Sequence, residues 1–439
     1  MAAVFGVILC GNEADVDCRL VESLVESECH LVILAHPHSV KQLQKRLVNY
    51  NNVTIQENLQ EFMKIVTVKR VIFAVNYNND LALLNSVYSS LQKDDILINC
   101  VHEQLSNTIK CYNENKLKEV GYLSMKIYWS KAYKGPCLLC SGEKTVYQAI
   151  LPLLAKLIQL NVTSNSDDTV EDEIQEENNR FCAFIGPIGV ADFFYSIEQT
   201  IEFSTKGTIY EIYKVLNLCG SLTSIEIFNI LSTWCTEHDY LLNMSTVLIK
   251  KEPDSTNALT KVLSVTPPTT LSLLNSAIEL SAAVPNIYAN LAYVQSQCKT
   301  ECDNATLQLK IDQIPQIEPY QIINDAKSTY LLVIACIFSQ CLNLLETAAA
   351  KYNWDVNIAD TLRVLNTGSH IRSSFLNELY EEYKTASGKP LNVLLFPSIL
   401  RLFKHNNEAW RRVVTLCYAS GISCWNISSA LNYFDGMQA

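Results

Sequence analysis

The chain lacks any concentration of positive charge. Lysine and arginine number 34 against 45 aspartates and glutamates, a net charge of −11 over 439 residues, so nucleic acid and anionic membrane are not expected partners. No basic n-region precedes the apolar opening Met-Ala-Ala-Val-Phe-Gly-Val-Ile-Leu-Cys-Gly, which is too short to span a bilayer and reads as a first buried strand. The other apolar stretch, Tyr330 to Leu345, is interrupted by Ser339, Gln340, Cys341 and Asn343, which argues for a buried central helix over a membrane span. Asn-x-Ser/Thr triplets such as Asn52 to Thr54 and Asn304 to Thr306 carry no weight without an export signal. The expected location is the cytoplasm.

Chemistry-bearing motifs are also scarce. The sixteen cysteines are scattered, which points to reduced thiols, not a disulfide framework. Cys137 and Cys140 form a lone C-x-x-C with no second pair and no nearby histidines to complete a tetrahedral site, so no metal is expected. The nucleophile-elbow, zinc-protease and P-loop patterns are absent.

What is present is length and pattern. At 439 residues the chain exceeds the roughly 250–300 that one core supports, so two domains are expected. Val4 to Cys10, Leu31 to Leu34, Val53 to Gln56, Arg70 to Val75 and Ile96 to Asn99 read as strands, and helical patterns such as Asp80 to Gln92 and Glu103 to Leu117 lie between them. That alternation predicts a doubly wound parallel sheet over residues 1–162. Ser164 to Asn179 is acidic and almost free of apolar residues, marking a linker or insertion over 163–180. Residues 181–439 are expected to be all-helical, punctuated by Asn353, Gly368 and Gly421.

The run Gly186 to Ser204 reads as a helix carrying Glu198 and Glu202 four residues apart, hence facing the same way. Two readings stand side by side: a carboxylate pair in a pocket, or two glutamates on a solvated face. In a pocket, like charges about 4 Å apart cost on the order of 4 kcal/mol at an effective dielectric near 20. A raised pKa on one of them softens that penalty.

This run resembles the G-D-x-G-A-G-H-F-V-K-M-V-H-N-G-I-E-Y-G segment of 6-phosphogluconate dehydrogenases, with Gly186, Gly189, Phe193, Ile201 and Glu202 in register. The similarity continues through Gly135-Pro136-Cys137-Leu138, Asn353-Trp354, Ile371-Arg372-Ser373, Ala409 to Val413 and Ala430 to Gly436. It implies an N-terminal dinucleotide-binding (Rossmann-like) α/β domain and an all-α C-terminal domain. It also implies NADP as cofactor, a phosphorylated sugar acid as substrate, and a homodimer or a heterodimer with a family paralogue. The family reaction is the oxidative decarboxylation of 6-phosphogluconate to ribulose 5-phosphate in the pentose phosphate pathway.

By the same resemblance the chemical positions have changed. The family's lysine base is Tyr195 here, its histidine Glu198 and its asparagine Gln199, while the acid is retained as Glu202. A phenol with a pKa of about 10 is protonated at neutral pH and is poorly suited to act as the base. Arg372 stands at the position of the arginine that binds the substrate phosphate, Lys126 within the V-S-G-G segment, and His102 at the asparagine between cofactor and substrate. The lysine of the family's glycine-rich loop has no counterpart in Thr266 to Leu274.

For the cofactor, Gly11 is kept at the first turn, but Glu13 and Val16 bring a carboxylate and a branched side chain where a pyrophosphate needs bare backbone. Val75 begins the segment matching V-K-A-G, and His36-Pro37-His38 replaces the Asn-Arg-Thr whose guanidinium grips a 2′-phosphate. His38 binds phosphate weakly and only when protonated. The family's chain runs on into a tail that brings an arginine and a histidine to the partner's site, and these residues have no counterpart before Ala439. The expectation is a diverged member that has lost the family reaction and plays an interaction or regulatory role. The alternative is an active NAD(P)-dependent oxidoreductase on 6-phosphogluconate or another sugar acid.

Overall fold

The structure, a computed structural model, describes residues 4–10, 19–27, 29–66, 70–76, 81–101, 104–129, 135–159, 180–235, 239–251, 268–296, 317–385 and 392–438. Eight strands form one sheet: β1 Val4–Cys10, β2 His30–Ala35, β3 Val53–Gln56, β4 Val71–Asn76, β5 Ile96–Asn99, β6 Gly121–Tyr128, β7 Cys137–Gly142 and β8 Cys182–Gly186. The helices between and after them are α1 Arg19–Glu26, α2 Pro37–Arg46, α3 Leu59–Ile65, α4 Leu81–Ser90, α5 Leu105–Lys116, α6 Lys144–Gln159, α7 Val190–Leu218, α8 Ser224–Trp234, α9 Tyr240–Lys251 and α10 Pro268–Glu279. Then come α11 Pro285–Ser296, α12 Pro319–Tyr352, α13 Ile358–Gly368, α14 Ser374–Thr385, α15 Pro397–Ala419 and α16 Trp425–Gly436.

These elements divide into two compact units, Met1–Tyr195 with Trp354–Ser369, and Ser196–Asn353 with His370–Ala439. The first holds the sheet, in the order β3-β2-β1-β4-β5-β6-β7-β8. Every neighbouring pair is parallel except the antiparallel β6 and β7. The order reverses about β1, as in a Rossmann-like sheet. β2 reads His-Leu-Val-Ile-Leu-Ala, and every residue after His30 is buried, the mark of a strand covered on both faces. Ile8, Val32, Leu34, Ile72, Ala74 and Leu97 pack with Phe62 of α3 and Val87 of α4 into one core layer.

β8 lies beyond the acidic stretch, where only helices were expected, yet it pairs in parallel with β7 and closes this sheet. α13 joins the same unit; a Cβ on its last residue, Gly368, would sit 2.6 Å from Cys137 Sγ. The acidic stretch itself and the Gly11 to Val16 turn lie outside the described residues.

The described residues of the second unit form helices and the turns between them. α12 has a window of mean hydropathy 1.8, long and apolar enough to cross a membrane by composition, but 78% of that window is buried inside the protein. Asn353 ends it in the left-handed region, at φ 52, with its N–H donating to Ala349 O. α16 has no capping side chain of its own at Cys424. The buried Glu211 carboxylate of α7 caps it instead, accepting from Asn426 N at 2.9 Å and Ile427 N at 3.0 Å.

Candidate functional site

α7 begins in the first unit and continues in the second. Its start is fixed to the sheet. Gly189 precedes the first turn at φ +91, a conformation that strains any other residue, and a Cβ there would also come 2.4 Å from Leu105 Cδ1 of α5. Phe193 packs edge-on against Trp354, ring centroids 5.8 Å apart.

In that first turn Asp192 meets Lys126 of β6. Lys126 Nζ is 2.6 Å from Asp192 Oδ1 and donates to Val101 O at 2.5 Å, and both side chains are fully buried. Ser124 Oγ donates to Asp192 Oδ2 at 2.8 Å, and Ala191 N donates to Ser141 Oγ at 3.0 Å. A carboxylate is favourable at a helix N-terminus, and here it also neutralises an ammonium removed from water. Lys126 is therefore committed to an internal partner; an external anion would have to displace Asp192.

One turn further, Tyr195, Glu198 and Glu202 fall at positions i, i+3 and i+7 and share a face of α7. Tyr195 is half-buried, Glu198 is 1% exposed and the Glu202 side chain 12%, so the carboxylate pair is not on a solvated face. Gln199 Nε2 donates to Glu198 Oε2 at 2.7 Å. His370, in the turn after α13, brings Nδ1 to 3.3 Å from Glu202 Oε2, and Lys206 pairs with the same carboxylate from one turn along. The His370 ring stacks on Tyr240 at 5.1 Å and 16°, and the Arg372 guanidinium lies 4.1 Å from the centre of that tyrosine ring.

These surroundings drive the titrating groups apart. Burial, reinforced by Glu202, pushes the Glu198 carboxyl up to about 7. Glu202 is held below the ordinary carboxylate range: burial works to raise it, and its contacts with His370 and Lys206 more than offset that. The hydrogen bond to Glu202 raises His370 above its usual value. A protonated acid, an ionised acid and an imidazole thus sit together near neutral pH, an arrangement suited to moving protons.

Arg372 lines a small cavity of about 80 Å³ with Asp239, Lys327 and Tyr330. Val75 is buried near the end of β4. Gly11 and His102 lie outside the described residues, as does the side chain of His38. The structure adds Asp192, Lys206, Tyr240 and His370 to the residues singled out from sequence. Asp192 carried a usable signal, a lone acid in the apolar run Val-Ala-Asp-Phe-Phe. His370 is 168 residues from Glu202, and no spacing rule joins them.

The chain is 24% identical to the decarboxylating 6-phosphogluconate dehydrogenase of Bacillus licheniformis over 81% of its own length and 75% of the relative's. It is 27% identical to decarboxylating 6-phosphogluconate dehydrogenase 1 of Oryza sativa subsp. japonica, over 79% and 71%. The solved 6-phosphogluconate dehydrogenase of Plasmodium falciparum superposes with a TM-score of 0.84 at 18% identity, covering 99% of this chain and 93% of that one. A profile of the 6-phosphogluconate dehydrogenase C-terminal domain matches residues 191–439. With that profile spanning more than half of its length, the chain belongs to the 6-phosphogluconate dehydrogenase family.

Proposed function

We propose that this family member no longer performs the NADP-dependent oxidative decarboxylation of 6-phosphogluconate and acts instead as an interaction or regulatory protein of the cytosol, as a homodimer or paired with a family paralogue. The observation that carries this reading is the buried Lys126–Asp192 pair. By resemblance Lys126 stands where a small serine faces the substrate, and its ammonium already has a carboxylate and a carbonyl as partners. Tyr195 at the lysine position adds to it, since a phenol with a pKa of about 10 gives almost no base at neutral pH.

The Plasmodium falciparum protein was solved with NADP+ and with 6-phosphogluconate. Both ligands therefore form the test. Neither is expected to raise the unfolding temperature of this chain at concentrations that saturate an active relative. A dose-dependent rise with both together, accompanied by NADPH formation, would overturn the reading.

One observation favours a second reading, an active oxidoreductase with relocated proton chemistry. Glu198, Glu202 and His370 supply an acid and an imidazole base in contact with one another. Reduction of NAD or NADP in the presence of a less anionic sugar acid would establish it.

A further inference from the structure

The turn that follows α13 is held through His370 by two polar contacts to α7 and a ring stack on α9. His370 Nδ1 reaches Glu202 Oε2 at 3.3 Å, the His370 backbone N–H donates to the Glu198 carboxyl, and the imidazole stacks on Tyr240 at the start of α9. Glu198 is buried and the Glu202 side chain is 12% exposed, whereas the His370 side chain is 51% exposed, so the imidazole is the most solvent-accessible titrating group of the cluster. Two residues along, Arg372 lies against the same tyrosine ring, and its carbonyl accepts from Tyr240 N at 3.2 Å. Whatever holds His370 therefore also holds Arg372.

We infer that His370, Glu202 and Glu198 form a proton-operated latch that clasps the turn at residues 370–373 onto α7 below neutral pH and releases it above. The inference goes beyond the proposed function, because it holds whether or not the chain turns over a substrate.

The charges facing the latch are Glu198, Glu202 and Lys206 from α7, Arg372 from the turn itself and Asp239 beside Tyr240, which accepts from Ser374 N at 3.1 Å. In the protonated state Glu198 is neutral, Glu202 is ionised, and an imidazolium bridges it to the tyrosine face. The ion pair and the cation–π contact both favour closure. As pH rises, the imidazolium loses its proton, which removes both attractions. Glu198 ionises about one helical turn from Glu202, and two like charges then face each other without a cation between them. Lys206 stays paired with Glu202 from the next turn, and its charge opposes protonation of His370 without reversing the upward shift. The direction of each titration agrees: His370 is raised by Glu202, and Glu198 is raised by burial.

Hydrogen exchange followed by mass spectrometry on the whole chain tests this. Protection of the amides at 370–374, corrected for the intrinsic pH dependence of exchange, is expected to fall about tenfold between pH 6 and pH 9, while amides of the buried α12 keep theirs. His370→Gln is expected to leave the 370–374 amides equally unprotected at both pH values. Should that variant fold poorly, the wild-type profile decides alone, with α12 as internal reference. Equal protection of these amides at pH 6 and pH 9 in the wild type would overturn the latch, as would a fall shared by α12.

Discussion

Lys126 Nζ and Asp192 Oδ1 stand 2.6 Å apart with neither side chain exposed to solvent, one from the sixth strand of the sheet and one from the first turn of the long helix. The pair ties the long helix to the sheet by an internal charge contact. Removing either partner leaves the other as an uncompensated buried charge. Lys126→Met or Asp192→Asn should each destabilise the first unit by about 3–5 kcal/mol, and Lys126→Met with Asp192→Leu together by much less. Urea unfolding of the three variants checks this. Single-variant losses under about 1 kcal/mol would show that the pair is solvated in solution.

If Tyr195 stands at the family's base position, as the resemblance implies, placing a lysine there alone should not produce the family reaction. Tyr195→Lys places an amine on the correct face of the helix but leaves Lys126 and Asp192 where they are. The expected outcome is no NADPH formation with 6-phosphogluconate and NADP. Turnover by Tyr195→Lys near an ordinary enzyme rate, about 1 s⁻¹ or faster, would mean that the ion pair is no obstacle.

How much of this was legible in the sequence depends on the range of each interaction. β1, β3 and β5 follow from runs of β-branched residues, and the αL stop at Asn353 from a residue that tolerates positive φ. β8 was hidden because its five residues, Cys-Ala-Phe-Ile-Gly, follow a long acidic stretch and pair with a strand some forty positions earlier. In the site, the i, i+4 relation of Glu198 and Glu202 was local and therefore readable. Their burial was not, since it is supplied by other helices. The Lys126–Asp192 and Glu202–His370 contacts join distant segments, and composition says nothing about which charges meet.

Stability should fall as pH rises toward neutrality. Burial pushes Glu211 up to about 7 despite three hydrogen bonds donated to its carboxylate by Asn426 and Ile427. An unfolded glutamate titrates near 4.3, so between that value and about 7 the native state binds more protons than the unfolded state. Its contribution is present below the unfolded pKa and is lost through the folded one, on the order of 3–4 kcal/mol in all. Glu198 and His370 change in the same direction, whereas the depressed Glu202 acts only below the ordinary carboxylate range. Urea midpoints should therefore be higher at pH 5.5 than at pH 8, and Glu211→Gln should flatten the difference. A wild-type midpoint that climbs across this window contradicts the assignment.

The same carboxylate caps α16 from a distance, which gives a separate expectation. Glu211→Ala leaves Asn426 N and Ile427 N buried without acceptors and should cost about 1–3 kcal/mol. Faster amide exchange confined to the first turn of α16 would report the lost cap. Unchanged exchange there would mean that water replaces the carboxylate.

The proposed loss of the family reaction is tested most directly by following NADPH absorbance with purified protein at high concentration, 6-phosphogluconate and NADP, beside an authentic 6-phosphogluconate dehydrogenase in the same buffer. The expected result is no detectable NADPH from this chain while the control is active. Turnover within the usual enzyme range, about 1 to 10³ s⁻¹, would contradict it and require a base other than lysine, with His370 the first residue to replace.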